Sequence, residues 1–168
     1  TILSTSFLKP TSNLKNTEVI NYVFTSQQID AIIQKKESDV KCLLFKGVFS
    51  LVLALEKFRN KNYSWPTINL YYSCFYFLKA SLCARNIFLF RIQRDMYFID
   101  VDDKSCLTKI PADYKSDHNS SIFLFKDKYS STDLLQSNEI DGQNPYEWLR
   151  SKREEINYKM PKFYEPEY

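Results

Sequence analysis

The rhythm of hydrophobic and polar positions changes twice along the chain. Residues 1 to 25 mix Ser, Thr, Asn and Pro with scattered apolar side chains and keep neither a helical nor a strand period, so they read as an irregular arm packed on the body. From Ser26 the period becomes helical. Ile29, Ile32, Ile33, Val40, Leu43, Leu44, Gly47, Val48, Leu51, Val52, Leu55 and Phe58 share a spacing that predicts one long helix, or two in succession, over 27 to 60 with these residues as its core face. A second helix is predicted from Ser64, with the serine as cap, Pro66 in the first turn, and Ile68, Tyr71, Tyr72, Phe75, Leu78, Leu82 and Cys83 as its apolar side. The two helices are expected to pair antiparallel. Gly47 costs about 1 kcal/mol in helix propensity relative to Ala, and close approach of a neighbouring helix is its expected use.

After Asn86 the pattern turns β-like. Residues 87 to 93 and 96 to 101 are rich in β-branched and aromatic side chains, and 105 to 110 answer them across Asp102, Asp103 and Lys104. This predicts a hairpin, with room for a third strand, inserted between helices. Residues 111 to 119 read as polar loop, and 122 to 125 as either strand or the first turn of a helix. Asn144, Pro145 and Glu147 match a capping box with proline at the first helical position, so a last helix starts there. Its apolar side comprises Tyr146, Leu149, Ile156 and Trp148. Pro161 and Pro166 lead into an extended tail. The fold class is therefore mainly α, a helical bundle with a small inserted β-hairpin around 87 to 110, forming one domain over 26 to 168.

Composition narrows the function classes. Two glycines in 168 residues disfavour glycine-rich phosphate loops, and 44% hydrophobic content supports a sizeable core. The longest apolar run, Leu51 to Leu55, is bounded by Lys46 and Glu56, far short of the roughly 20 residues that span a bilayer. No membrane contact is expected, and the residues from Thr1 to Pro10 lack the pattern of a secretory leader, which points to the cytoplasm. Cys42, Cys74, Cys83 and Cys106 contain no Cys-x-x-Cys pair and read as buried free thiols, with no metal site. A net charge of +3 permits nucleic-acid contact without arguing for it.

Two segments carry a family resemblance. The helix Ile68 to Asn86, with its run Tyr71-Tyr72-Ser73-Cys74-Phe75, and Leu149 to Tyr158, with its Arg153 and Tyr158, are similar to helices of the HEPN superfamily. That family's signature helix has an Arg followed after four to six residues by a His. The resemblance implies a helical bundle, often dimeric through its signature helices, that cuts RNA without metal or other cofactor and frequently serves as a toxin or antiviral defence effector. By position, Arg153 is the motif arginine and Tyr158 takes the place of the histidine. Glu154 also departs from the pattern, which favours a small polar residue there. A phenol with an ordinary pKa near 10 donates a hydrogen bond at pH 7 but is a poor general base, whereas an imidazole serves as both acid and base. The substitution is thus expected to weaken hydrolysis while leaving Arg153 able to bind phosphate and Tyr158 able to stack on a base. At about 100° per residue, five positions set the two some 140° apart on an α-helix, so they are expected to flank a cleft and not to stack.

Other candidates surround that pair. His118, the single histidine, would complete a rearranged catalytic set with Arg153 and Tyr158 if folding brought it within proton-transfer reach. Arg85, Asn86, Arg91, Arg94 and Lys152 are candidate RNA contacts. Arg91 and Arg94 sit an odd number apart and so face opposite sides of a regular strand. Asp100, Asp102 and Asp103 read as a charged turn and not a calcium loop. Three readings follow: a degenerate or helper nuclease of a prokaryotic defence or toxin-type system that binds RNA or a partner protein, a protein-interaction module whose tyrosines (Tyr129, Tyr146, Tyr164, Tyr168) dock a larger partner, and an active metal-independent ribonuclease; a partner protein or a homodimer is expected.

Overall fold

The computed structural model describes Val19, residues 22–129 and residues 138–160. The chain is mainly helical with one small antiparallel sheet. In order come α1 (Ser26–Arg59), α2 (Ser64–Ala84), β1 (Ile87–Ile92), β2 (Asp95–Asp100), β3 (Lys104–Lys109), α3 (Asp117–Tyr129) and α4 (Pro145–Glu154), which runs on into a π-helical turn at Glu155–Lys159. No helix among the described residues is long and apolar enough to cross a membrane. These elements group into two compact units, one made of the chain up to Cys42 with Lys79–Phe123, the other of Leu43–Leu78 with the chain from Leu124.

The first unit is built around the sheet. Its order is β1-β2-β3, so the optional third strand exists, and the tighter of its two turns is Gln93-Arg94, where Gln93 takes a left-handed φ of 55°. Phe88, Phe90, Ile92, Met96, Tyr97, Ile99 and Leu107 are buried, which gives the unit a largely aromatic and β-branched core. Of the expected N-terminal arm only the end is described: Val23 bridges Cys106 on β3, and Phe24 is buried against Phe90 at 6.1 Å. Helix α1 then opens on a capping box, Thr25 Oγ accepting the Gln28 N–H while the Gln28 side chain accepts the Thr25 N–H. Asn86, at φ 60°, ties three elements, accepting from Lys36 Nζ at 2.8 Å and donating to the Asp102 carboxylate at 3.0 Å.

Residues 117 to 119, expected as loop, form the first turn of α3. Ser116 caps it, accepting the Asn119 N–H on its hydroxyl and the Ser120 N–H on its carbonyl. Buried Ser120 and Ser121 interrupt the apolar face, which is why hydrophobic periodicity hid this helix. Its Asp117 neutralises Lys79, whose side chain is only 12% exposed.

The second unit pairs α1 with α2. Contacts run from Phe58–Tyr63 to Gly47–Ser73, the descending order of an antiparallel pair. Ser73 Oγ donates to the Gly47 carbonyl at 2.9 Å, and a Cβ on Gly47 would stand 2.7 Å from the Phe77 ring, so the glycine serves the close approach expected of it. The expected core face of α1 is corrected here. Gly47 and Ala54 are buried, but Leu44, Val48, Val52 and Leu55 are exposed, because this stretch is apolar on more than one side and its small residues mark the face that packs. The cap of α2 also shifts by one residue: Ser64 is already helical and the Tyr63 carbonyl accepts from Thr67.

All four cysteines are free, yet only Cys83 is buried; Cys42 is exposed and the other two are half-buried, a correction to the uniform burial expected. Burial, with Asp39 adding to it, pushes the Cys83 thiol up to about 11. The unfolded chain therefore loses this proton first. Its stabilising contribution is complete below the ordinary thiol value near 9 and disappears as pH rises toward 11, a loss of at most about 2 to 3 kcal/mol. Mass spectrometry after iodoacetamide treatment at pH 8 should find Cys42 alkylated in the native protein and Cys83 only after denaturation; early modification of Cys83 would contradict its burial. Gly47→Val should lower stability by about 1 to 3 kcal/mol in urea titration, with Phe77→Ala in the same chain recovering part of it.

Candidate functional site

Helix α4 begins as its sequence predicts. The Asn144 side chain accepts the Tyr146 N–H at 3.0 Å and Pro145 occupies the first turn. Glu147 does not fold back to complete the box; it binds Lys126 of α3 at 2.8 Å. Tyr146, Leu149 and Ile156 are buried, with Tyr146 edge-on to Phe125. Trp148, expected on the apolar side, instead donates its indole N–H to Asp141.

Arg153 lies on the flank of this helix with aromatic rings on several sides. Its Cζ is 5.8 Å from the Tyr71 ring centroid, 5.7 Å from that of Tyr72 and 5.5 Å from that of Tyr158, and its Nη2 donates to the Tyr72 hydroxyl at 3.1 Å. Each ring presents electron density to the cation, worth about 0.5 to 2 kcal/mol according to how dry the contact is. Burial opposes the guanidinium charge, but the Tyr72 hydrogen bond and the neighbouring tyrosines outweigh it and leave the Arg153 pKa raised. Tyr71, 2% exposed, is pushed well above the ordinary phenol value by burial, with Arg153 pulling the other way, so it remains a neutral phenol.

Tyr158 reaches Arg153 because α4 does not stay α-helical. Over Glu155–Lys159 the turn widens, and the Met160 N–H bonds to the Glu155 carbonyl five residues back at 3.0 Å. A turn closed by i→i+5 bonds needs more residues to come round than an α-turn, so two positions five apart approach the same side. This corrects the expectation that Arg153 and Tyr158 stand 140° apart without stacking. Tyr158 remains 73% exposed, its ring covering the arginine on one side and meeting solvent elsewhere.

The charges nearby divide unequally. Arg150 faces Glu154 at 3.9 Å, and Lys152 pairs with Glu155 at 3.1 Å while lying over the Trp148 ring. Among the described residues no carboxylate comes within ion-pairing distance of Arg153, whose Nε–H is buried without an acceptor. The site therefore offers a cation held by neutral phenols beside an exposed aromatic face. Such a set is chemically suited to an anion next to a flat ring. The chain's single histidine belongs to the other unit.

The remaining candidates divide between the two units. His118 is half-buried in the first turn of α3 and belongs to the first unit, as do Arg85, Asn86, Arg91 and Arg94, whereas Arg153, Tyr158 and Lys152 belong to the second. Asn86 is committed to Lys36 and Asp102, Arg91 donates to the Lys115 carbonyl, and Arg85 donates to Ser81. Arg94 is exposed at the β1–β2 turn. Of the four tyrosines expected to form a docking surface, Tyr146 is core and Tyr129 packs on Phe125, while Tyr164 and Tyr168 lie outside the described residues. Tyr71 and Tyr72 are the site residues that helical periodicity assigned simply to a core; the signal for their role was two adjacent tyrosines facing a helix with a cation on its flank.

Comparison with family profiles, curated proteins and solved structures finds no match to this chain.

If the tyrosines hold Arg153 as described, Arg153→Met, which keeps much of the volume and removes the charge, should cost about 1 to 3 kcal/mol in urea unfolding. A stability unchanged within 0.3 kcal/mol, roughly the error of such measurements, would mean that the rings do not hold the guanidinium.

Proposed function

We propose that this chain is a HEPN-like component of a prokaryotic defence or toxin-type system, and that it binds RNA through Arg153 and Tyr158 with little or no hydrolytic activity of its own. The observation that carries the reading is a cation without a carboxylate partner among the described residues, next to a largely exposed ring. A phosphate oxygen would pair with the half-buried Arg153 guanidinium, and a base would stack on Tyr158. The two segments that carry the family resemblance also meet at this point, Tyr71 and Tyr72 from one and Arg153 and Tyr158 from the other. The position at which the family keeps a histidine is occupied by a phenol, which fits binding better than proton transfer.

Fluorescence anisotropy with a single-stranded RNA oligomer in EDTA tests it. Binding should weaken about 5- to 100-fold on Tyr158→Ala, the range that loss of one stacked base produces, and should fall with rising salt. Arg153→Met should reduce it at least as much. Absence of binding at low salt would overturn the reading in favour of an interaction module without a nucleic-acid role. RNA cleavage in EDTA that is lost with Arg153→Met would replace it with the active-ribonuclease reading.

A further inference from the structure

Within the second unit α1 carries a second apolar face that nothing in the RNA reading uses. Leu44, Phe45, Val48, Phe49, Val52 and Leu55 are 43 to 71% exposed, and the rings of Phe45 and Phe49 stack on one another at 6.2 Å with an interplanar angle of 12°. The series 45, 48, 52, 55 advances by three, four and three residues, the a/d alternation of a helix that packs lengthwise against another helix, and Leu44 and Phe49 widen the seam on either side. The α2 contact is made by a different side of the helix, at Gly47 against Ser73 and Phe77, and Ala54 on the next turns is buried as well. No charged residue falls among these six positions. Glu56 and Arg59 begin at the seam's C-terminal end, where both are exposed.

We infer that this face pairs with the same face of a second copy about a two-fold axis, forming a homodimer through α1. The area favours that occupant. Aromatic side chains present about 150 to 250 Å² each and aliphatic ones somewhat less, so six at roughly half exposure offer about 500 Å² per copy. Two copies bury about 1,000 Å², the lower bound for a specific interface, before any flanking polar group is counted. An isologous contact buries the seam of both molecules at once, and a seam without charge brings no like charges together across the axis. The apolar character and helical spacing match a partner with the same spacing, which a second α1 supplies.

Sedimentation equilibrium of the full chain, from about 1 to 100 μM, should show a monomer–dimer equilibrium. Val48→Glu and Val52→Glu should each shift it at least tenfold toward monomer while leaving the circular dichroism spectrum and RNA affinity per chain unchanged. Trp65→Glu, at an exposed apolar residue off this seam, should leave dimerisation intact. A protein monomeric at every concentration would overturn the inference, whether another partner or the chain's own residues cover the seam, and so would a dimer that both glutamate variants leave unchanged. RNA affinity is read separately, so failure here leaves the proposed function standing and failure there leaves the dimer standing.

Discussion

The enclosure of the Arg153 guanidinium by Tyr71, Tyr72 and Tyr158 is the interaction on which the functional account depends. A cation held by carboxylates is electrostatically complete and has little left to offer an anion. Phenol rings stabilise the same charge without cancelling it. Arg150 and Lys152, a turn and a residue away, illustrate the difference, since each faces a glutamate of the same helix. In a segment where charges mostly compensate one another locally, Arg153 has no carboxylate partner among the described residues.

That enclosure follows from a change of helical geometry. The α-helical period would carry Tyr158 away from Arg153; the π turn at Glu155–Lys159 brings it back. Ile156, buried in the middle of the turn, anchors the segment while Tyr158 stays outside. The α2 side of the enclosure rests on equally local causes. Tyr71 is buried and Tyr72 half-buried on adjacent positions of one helix, and the next residue, Ser73, fastens that helix to α1 through the carbonyl of Gly47. Gly47 thus matters to the site although it touches none of its residues.

Much of the architecture was legible in the order of residues. Long apolar periodicity located α1 and α2, β-branched and aromatic runs located the sheet, and Asn144-Pro145 located the start of α4 to the residue. The misses have physical reasons. Helix α3 carries Ser120 and Ser121 on its buried face, Ser120 donating its hydroxyl to the Tyr114 carbonyl, and polar residues among the buried positions leave no hydrophobic signal. The capping box of Thr25 and Gln28 was present in the sequence as Thr-x-x-Gln but lay at the edge of a segment read as irregular. On α1 the error was of another kind: Leu44, Val48, Val52 and Leu55 have helical spacing and are hydrophobic, yet periodicity reports only that a face is apolar, not whether the same chain covers it. At the site, Arg153 and Tyr158 were singled out together and the structure brings them to 5.5 Å, but this contact was not legible, because no residue between them announces a five-residue turn.

The most direct measurement is the proton chemical shift of the Arg153 Cδ methylene, assigned by NMR in the wild-type protein and in Tyr158→Leu. Rings packed around the guanidinium require ring-current displacement from the random-coil value in the wild type, reduced but not abolished when Tyr158 is removed because Tyr71 and Tyr72 remain. A random-coil shift in the wild type, unchanged by the substitution, would place the arginine in open solvent and contradict the account.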